Sequence, residues 1–568
     1  MSRSPRIVIV GGVAGGASAA ARARRLSEEA SIVLFERGAY VSFANCGLPY
    51  HIGGVISDRK RLLVQTPESL KARFEIDARV NTEVISIDTK TQVVLARNMK
   101  TREETQEPYD ALVLSPGAEA IRPEIPGVHD RRIFTLRNMG DMDAILATVS
   151  KEGINRALVV GAGYIGLELA EQLHHRGLAV AVVERLPHVL GVADTEMTFP
   201  LHEELARQGV VLRLGRSVSA FEKEADALVA ILDNGDRIFC DLAIMSVGVR
   251  PETRLARGAG LALGTTGGIL VDDQMRTSQP NVYAVGDAVE IREFVSGDAA
   301  LIPLAGPANR QGRIAAEVIL GRDSHYKATQ GTSICKVFDL SFAMTGLSEA
   351  ALQRKGLAYR RIYVYPADHA TYYPGAHPIA LKLLFDPLEG HILGAQAVGA
   401  AGVDKRIDVI AVAQRAGLTV FDLEDLELCY APPFGSAKDP VNMAGFVASN
   451  VLREDVLLWE PEELATLTDG QMLLDVRTPQ ENAHGSIPGA SCAPVDELRD
   501  HLEDLPKDKE LLLFCQVGLR GYVAARLLTQ HGFKVRNLSG GYRRYAMWKG
   551  THTVPLACEA ALQLEESE

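Results

Sequence analysis

The sequence predicts an α/β chain: two parallel-sheet units of one pattern, a mixed α+β segment after them, and a small α/β domain at the C-terminus. Three observations carry this. Residues 6–36 (RIVIVGGVAGGASAAARARRLSEEASIVLFE) and 156–184 (RALVVGAGYIGLELAEQLHHRGLAVAVVE) share one order: apolar strand, glycine loop, Ala- or Leu-rich helix, polar turn, second apolar strand, acid. Residues 332–447 mix strand-like SICKVFDLSFAMTG with helix-like DKRIDVIAVAQRAG and lack a glycine-rich phosphate loop. From Leu473 a new pattern begins, in which the strand 511–514 delivers Cys515 to a short loop and a helix over 521–529. Short apolar runs bounded by turn residues read as buried parallel strands.

The bulk numbers set limits. A chain of 568 residues suggests four domains at about 150 residues each. A net charge of −12 argues against nucleic acid as a partner, which needs a basic footprint. The N-terminal apolar run, Ile7–Val10, is too short for a signal segment, and no run of 18 apolar residues exists, so a cytoplasmic chain without a membrane span is expected. Seven cysteines are scattered without a Cys-x-x-Cys pair, which fits one or two reactive thiols better than a disulfide framework, and no metal site is expected.

The two glycine loops come first. Gly161, Gly163 and Gly166 match G-x-G-x-x-G, with Tyr164 and Ile165 opening the helix. Such a loop lets a pyrophosphate approach backbone N–H groups at a helix N-terminus. Glu184, 18 residues after Gly166, suits a ribose 2′-hydroxyl and repels a 2′-phosphate. NADH is therefore expected, while the adjacent Arg185 leaves NADPH open. In the first unit Gly11 and Gly16 hold the outer places, Val13 stands where the middle glycine belongs, and Gly12, Ala14 and Gly15 complete the loop. Glu36 follows Gly16 by 20 residues, with Arg37 after it. Two further strand ends carry turns, Ser115-Pro116-Gly117 and the turn at Gly248, and YAVGDA occupies 283–288.

Two such units with YAVGDA resemble the two-dinucleotide flavoprotein disulfide reductase superfamily over roughly residues 5–445. The resemblance implies FAD on the first unit, Asp287 on its ribityl or phosphate region, and the nicotinamide cofactor on the second. It divides the chain into an FAD-binding domain (1–117 and 247–328), an NAD-binding domain (118–246) and a dimerisation domain (329–448). A charged linker (449–460) and a C-terminal domain (461–560) follow.

Just past the first unit lies Ser42-Phe43-Ala44-Asn45-Cys46-Gly47-Leu48-Pro49-Tyr50. Two-cysteine members of the superfamily carry Cys-x4-Cys here; in this chain His51 takes the second place. A lone thiol must hold its electron pair as a mixed disulfide with substrate, a sulfenic acid or a persulfide. The segment resembles the coenzyme A-disulfide reductase branch, which also includes NADH oxidases, peroxidases and persulfide reductases. The expected working form is a thiolate, with a flavin edge and a helix end lowering its pKa.

This branch implies coenzyme A contacts at Ser18, Arg22 and Arg25 on the first helix, where the two arginines are i,i+3 neighbours. It also implies contacts at Ser42 and Asn45 beside the thiol, and at Asn309 and Lys438. Tyr372 (with Tyr373 the adjacent alternative) and Tyr430 correspond to tyrosines that the family supplies from a partner subunit to orient or protonate the leaving thiolate. The implied assembly is a homodimer through the dimerisation domain.

The C-terminal segment carries Asp475-Val476-Arg477, then His484-Gly485-Ser486-Ile487-Pro488-Gly489-Ala490, then Cys515-Gln516-Val517-Gly518-Leu519-Arg520-Gly521. These residues resemble a rhodanese-like domain. Loop N–H groups and a helix N-terminus form an anion nest around Cys515, to which Arg520 adds a full charge. His484 is expected to be structural, and Cys240, Cys335, Cys429, Cys492 and Cys558 to be plain core or surface thiols. The combined expectation is an NADH-dependent flavoprotein that reduces coenzyme A persulfide, polysulfide or coenzyme A disulfide, its partners being small thiol and persulfide molecules. An NADH oxidase or peroxidase working through a sulfenic acid, and a sulfurtransferase with an ancillary flavoprotein part, remain as alternatives.

Overall fold

The computed structural model describes residues 4–224 and 227–553; Cys558 and the outer ends of the first and last expected domains lie outside the described residues. The chain divides into two compact units, one of residues 1–183 and 216–331, the other of 184–215 and 332–568.

The first unit holds both glycine-loop repeats. In the first repeat, strands Val282–Ala284, Ala111–Leu114, Arg6–Val10, Ser31–Phe35 and Asp77–Arg79 form a parallel sheet in that order. Their apolar runs are buried almost throughout, as a sheet covered on both faces requires. The helix Ala14–Leu26 lies against the helix Ala305–Ile319 so closely that a Cβ at Gly312 would stand 2.1 Å from the Gly15 carbonyl oxygen. The second repeat builds a parallel sheet from Ala179–Glu184, Arg156–Val160, Leu242–Met245 and Ile133–Phe134.

The two loops have one geometry. Gly11 (φ +97°) and Gly161 (φ +101°) sit against the end of the neighbouring strand, where a Cβ would meet Ser115 O at 2.0 Å and Ser246 O at 2.3 Å. A Cβ on Gly16 would come within 1.9 Å of Gly11 O, and one on Gly166 within 2.0 Å of Gly161 O. Glycine is thus enforced at both outer places of each loop by backbone approach.

In the second unit an antiparallel sheet runs Ser333–Val337, Leu340–Gly346, Ile392–Gly399, Ala380–Phe385, Arg360–Val364. A parallel sheet follows from Leu458–Trp459, Lys534–Leu538, Glu510–Phe514, Gln471–Asp475 and Ser491–Cys492. One continuous apolar core joins the two, from Ile362, Leu383, Ile410 and Val441 to Leu474, Leu511, Ala524 and Leu528. The stretch 449–460, expected to be a linker, is structured at both ends. Residues up to Leu452 complete the helix Pro440–Leu452, and Leu458–Trp459 pairs with Asn537 and Leu538. Trp459 is fully buried and donates to Leu513 O at 2.8 Å, and this anchor outweighs the charged composition around it.

A buried ionic cluster lies in the same unit. Lys382 Nζ donates to Asp194 Oδ2 (2.7 Å), Glu196 Oε1 (2.7 Å) and Glu349 Oε2 (2.6 Å). Arg361 extends the cluster from Glu349 to Glu460 and Glu462. Despite burial, Lys382 and Arg361 hold the Glu349 carboxyl down at about 2.

Candidate functional site

Both loop helices start in a way that suits a dinucleotide. Ala14–Leu26 and Tyr164–His175 have no side-chain cap and no acid in the first turn, and a Cβ at Gly163 would meet nothing within 4 Å. Uncapped, acid-free helix starts with room for backbone approach match a pyrophosphate. Ala14, Tyr164 and Ile165 occupy those first turns. Glu36 accepts from Gly12 N (2.9 Å) and Gly38 N (2.7 Å), Arg37 faces Glu252 at 4.0 Å, and Ser115, Pro116 and Gly117 follow the strand Ala111–Leu114. Asp287 lies 3.6 Å from Arg137, and burial raises its carboxyl against that cation. Glu184 ends the strand Ala179–Glu184 and accepts from Leu186 N at 2.9 Å, and Gly248 (φ +109°) turns the chain after Leu242–Met245. The residues present fit FAD on the first loop and a nicotinamide dinucleotide on the second.

Cys46 lies in the short turn Asn45–Gly47 that leads into the helix Leu48–Ile52. Ser42 (φ +50°) donates its N–H to Gly12 O at 2.7 Å, which ties this segment to the first glycine loop. Asn45 Oδ1 accepts from Cys46 N at 3.0 Å and lies 3.7 Å from Sγ, so Asn45 touches the thiol itself. Cys46 is a free cysteine. Among the chain's own groups, desolvation pushes the thiol up, aided by the Glu168 and Asp287 carboxylates, while Arg137 opposes. Glu168, itself raised by burial, accepts from the Tyr50 hydroxyl at 3.1 Å. This pairing was not picked out from the sequence, because 118 positions separate the two residues and only the fold brings them together.

The coenzyme A candidates divide. Ser18 Oγ donates to Asn309 Oδ1 at 2.8 Å, so these two meet. Arg22 is turned onto Glu317, which also pairs with Arg313 at 3.2 Å, whereas Arg25 is exposed. The expected two-arginine face is therefore reduced to Arg25, with Arg22 neutralised by an acid from the neighbouring helix. In the second unit the Tyr372 and Tyr430 hydroxyls are 2.8 Å apart, both rings exposed, while Tyr373 instead packs edge-on against His369 at 5.7 Å. The buried Arg406 joins the two loops that carry the tyrosines by bonding Asp368 O (2.6 Å) and Asp439 Oδ2 (2.9 Å). Lys438 is exposed beside Asp439.

Cys515 follows the strand Glu510–Phe514, and the helix Leu519–Gln530 begins two residues earlier than predicted, so Arg520 falls in its first turn. Gly518 N donates to Cys515 Sγ at 3.1 Å. From behind, Tyr542 N and Arg543 N bond Cys515 O (2.7 Å) and Gln516 O (3.0 Å), fixing the loop. The buried Arg477 reaches Asp475, Gly485 O and Gln516 Oε1. Arg520 does not present a bare charge, as was expected: both its Nη atoms bond Glu481, at 2.7 and 2.6 Å. His484 binds Gln480 O through Nδ1. Cys240 and Cys335 are buried, and Cys429 and Cys492 exposed.

Comparison with known proteins matches the same regions. Residues 5–312 match the family of pyridine nucleotide-disulphide oxidoreductases, 332–440 the dimerisation domain of that family, and 460–547 the rhodanese-like domain. A coenzyme A disulfide reductase of Staphylococcus aureus (strain JH9) is 39% identical over 445 residues, 78% of this chain and 100% of that protein. The reduced CoADR-RHD of Bacillus anthracis is 49% identical with a TM-score of 0.94, covering 96% of this chain and 98% of that one. An NAD-dependent persulfide reductase from A. fulgidus is 35% identical with a TM-score of 0.89, covering 95% and 100%. A water-forming NADH oxidase from Lactobacillus brevis is 28% identical with a TM-score of 0.76, covering 79% and 99%. No helix among the described residues is long and apolar enough to cross a membrane.

Proposed function

Because the chain belongs to the pyridine nucleotide-disulphide oxidoreductases, we propose that it is an NADH-dependent flavoprotein that reduces coenzyme A persulfide, polysulfide or coenzyme A disulfide through Cys46, with Cys515 carrying sulfane sulfur. The observation that carries this reading is the lone Cys46 with Asn45 at its sulfur, in a chain whose 460–547 segment is rhodanese-like. FAD, when bound, supplies the two-electron relay from NADH to the sulfur of Cys46.

The chain's own residues do the rest. Gly11, Gly12, Ala14, Gly15, Gly16, Glu36, Arg37, Ser115, Pro116, Gly117 and Asp287 hold FAD. Gly161, Gly163, Tyr164, Ile165, Gly166, Glu184 and Gly248 hold the nicotinamide dinucleotide. Cys46 thiolate attacks a substrate sulfur, forms the mixed disulfide and releases the other sulfur as coenzyme A thiolate or sulfide. Ser18, Arg25, Ser42, Asn45, Asn309 and Lys438 position coenzyme A, and Arg22 contributes after exchanging Glu317 for a phosphate. Tyr372 and Tyr430 give a proton to the leaving thiolate. The matched dimerisation segment supports a homodimer in which these tyrosines come from the other subunit. The oxidase reading is not favoured, since the oxidase structure covers 79% of the chain against 96% and 95% for the two sulfur-linked relatives.

The test is anaerobic NADH turnover with coenzyme A disulfide, coenzyme A persulfide, polysulfide and peroxide, with released sulfide measured. Turnover confined to the sulfur substrates supports the proposal; turnover of peroxide alone overturns it.

A further inference from the structure

Three arginines of the described residues near the Cys515 loop, Arg477, Arg520 and Arg543, are each matched by an anion or laid on a ring. Arg477 pairs with Asp475 in a buried contact at 2.7 Å. Arg520 pairs with Glu481 through two parallel hydrogen bonds, the strongest form of this interaction. Arg543 lies over the Tyr365 ring at 5.0 Å, near Glu203. Among the described residues named here, what remains to attract an anion is the loop's own N–H groups and the start of the helix Leu519–Gln530. The rim is also apolar: Val517, Leu519 and Val523 are exposed by 36%, 59% and 46%, and Leu519 and Val523 are i,i+4 neighbours on one face.

We propose that Glu481 is a specificity-determining residue for the sulfur donor of Cys515: by cancelling Arg520 it disfavours dianionic thiosulfate and favours an organic persulfide whose chain lies on Val517, Leu519 and Val523. This rests on the reading that Cys515 carries sulfane sulfur. In the favoured reaction Cys515 thiolate attacks the outer sulfur of R–S–SH. The new S–S bond gives Cys515–S–SH, and the old S–S bond breaks with its electron pair leaving as R–S⁻. With thiosulfate the leaving group is sulfite, and three negative charges gather in a loop that lacks an uncancelled arginine among the residues named above. Electrostatic mismatch of this kind sets partner preference more than stability.

Glu481 also closes a capping box, accepting from Thr478 N and Oγ1 (each 3.1 Å) while its own N–H bonds Thr478 Oγ1 at 3.2 Å. Glutamine satisfies the same box, so Glu481→Gln removes the charge and keeps the cap. The experiment is single-turnover sulfur transfer to Cys515 in the full-length flavoprotein, read as the mass gain of the Cys515 peptide, with thiosulfate and with pantetheine persulfide. In Glu481→Gln the thiosulfate rate constant should rise about tenfold and the persulfide rate constant change by less than about threefold, with the gain shrinking at high salt. Thr478→Ala, which breaks the box without changing charge, should leave the donor ratio unaltered. An unaltered ratio in Glu481→Gln, or an equal change in Thr478→Ala, overturns the charge argument. Donor consumption that persists at full rate in Cys515→Ser would instead sink the sulfur-carrier reading.

Discussion

The hydroxyls of Tyr372 and Tyr430 are 2.8 Å apart although 58 residues separate them in the chain. One phenol donates to the other, and Tyr430 pushes the Tyr372 phenol up. The pair should therefore deliver a proton as a unit. Tyr372→Phe or Tyr430→Phe should each lower kcat with coenzyme A disulfide by about 10²-fold. The double variant should cost little more than the worse single one, as for groups acting together. Multiplicative losses in steady-state kinetics would show two separate roles.

The two thiols should separate cleanly. Cys46→Ser should abolish NADH-driven reduction of coenzyme A disulfide, while Cys515→Ser should keep it and lose only sulfur transfer. Activity measured on both variants with one enzyme preparation checks this. Reduction that survives in Cys46→Ser would contradict the proposed mechanism.

After burial, the larger cause, Glu168 raises the Cys46 thiol by its negative charge. Its removal should favour the thiolate, so in Glu168→Gln the pH profile of Cys46 alkylation should move to lower pH. The relevant measurement is the iodoacetamide rate against pH in the flavin-loaded enzyme. A move to higher pH would mean that the hydrogen bond from Tyr50 matters more than the charge.

Gly16→Ala and Gly166→Ala should have different consequences. The added Cβ would stand 1.9 Å from Gly11 O in the first case and 2.0 Å from Gly161 O in the second. The first should lose bound flavin, and the second should retain it while KM for NADH rises. Flavin absorbance of the purified variants and NADH titration distinguish the two.

Lys382 is enclosed by three carboxylates with no exposed side-chain surface. Removing one partner of a buried ionic group costs about 3–5 kcal/mol, and Lys382→Met should lose stability on that scale in denaturant unfolding. Acid should act in the same direction on the native chain. Glu349 is held at about 2, so its contribution is complete above the ordinary carboxylate range and is lost as pH falls through about 2.

The parts legible in the sequence were those written locally. Strand, glycine loop and helix follow one another without interruption, so the turns at Gly11 to Gly16 and Gly161 to Gly166 could be placed by spacing, and the strand-to-helix loop at Cys515 by its immediate neighbours. What escaped depends on distant partners. Nothing around Arg520 announces Glu481, 39 positions earlier, and nothing around Arg22 announces Glu317, 295 positions later. Lys382, in an otherwise apolar strand, gave no sign of Asp194, which is 188 positions away. The stretch 449–460 misled for the opposite reason: charged residues suggested a linker, while Trp459 and the Glu460–Arg361 pair anchor it.

The shared core of the second unit bears on how sulfur moves. Cys515 stands on a sheet whose inner face is packed into the same apolar interior as the antiparallel sheet, and both Arg361 and Trp459 pin the crossing. A sheet mounted in this way has no hinge against the antiparallel sheet of the same unit. On the proposed function, delivery to Cys515 falls to a diffusible or long-armed molecule, and turnover there should track the reach of that molecule.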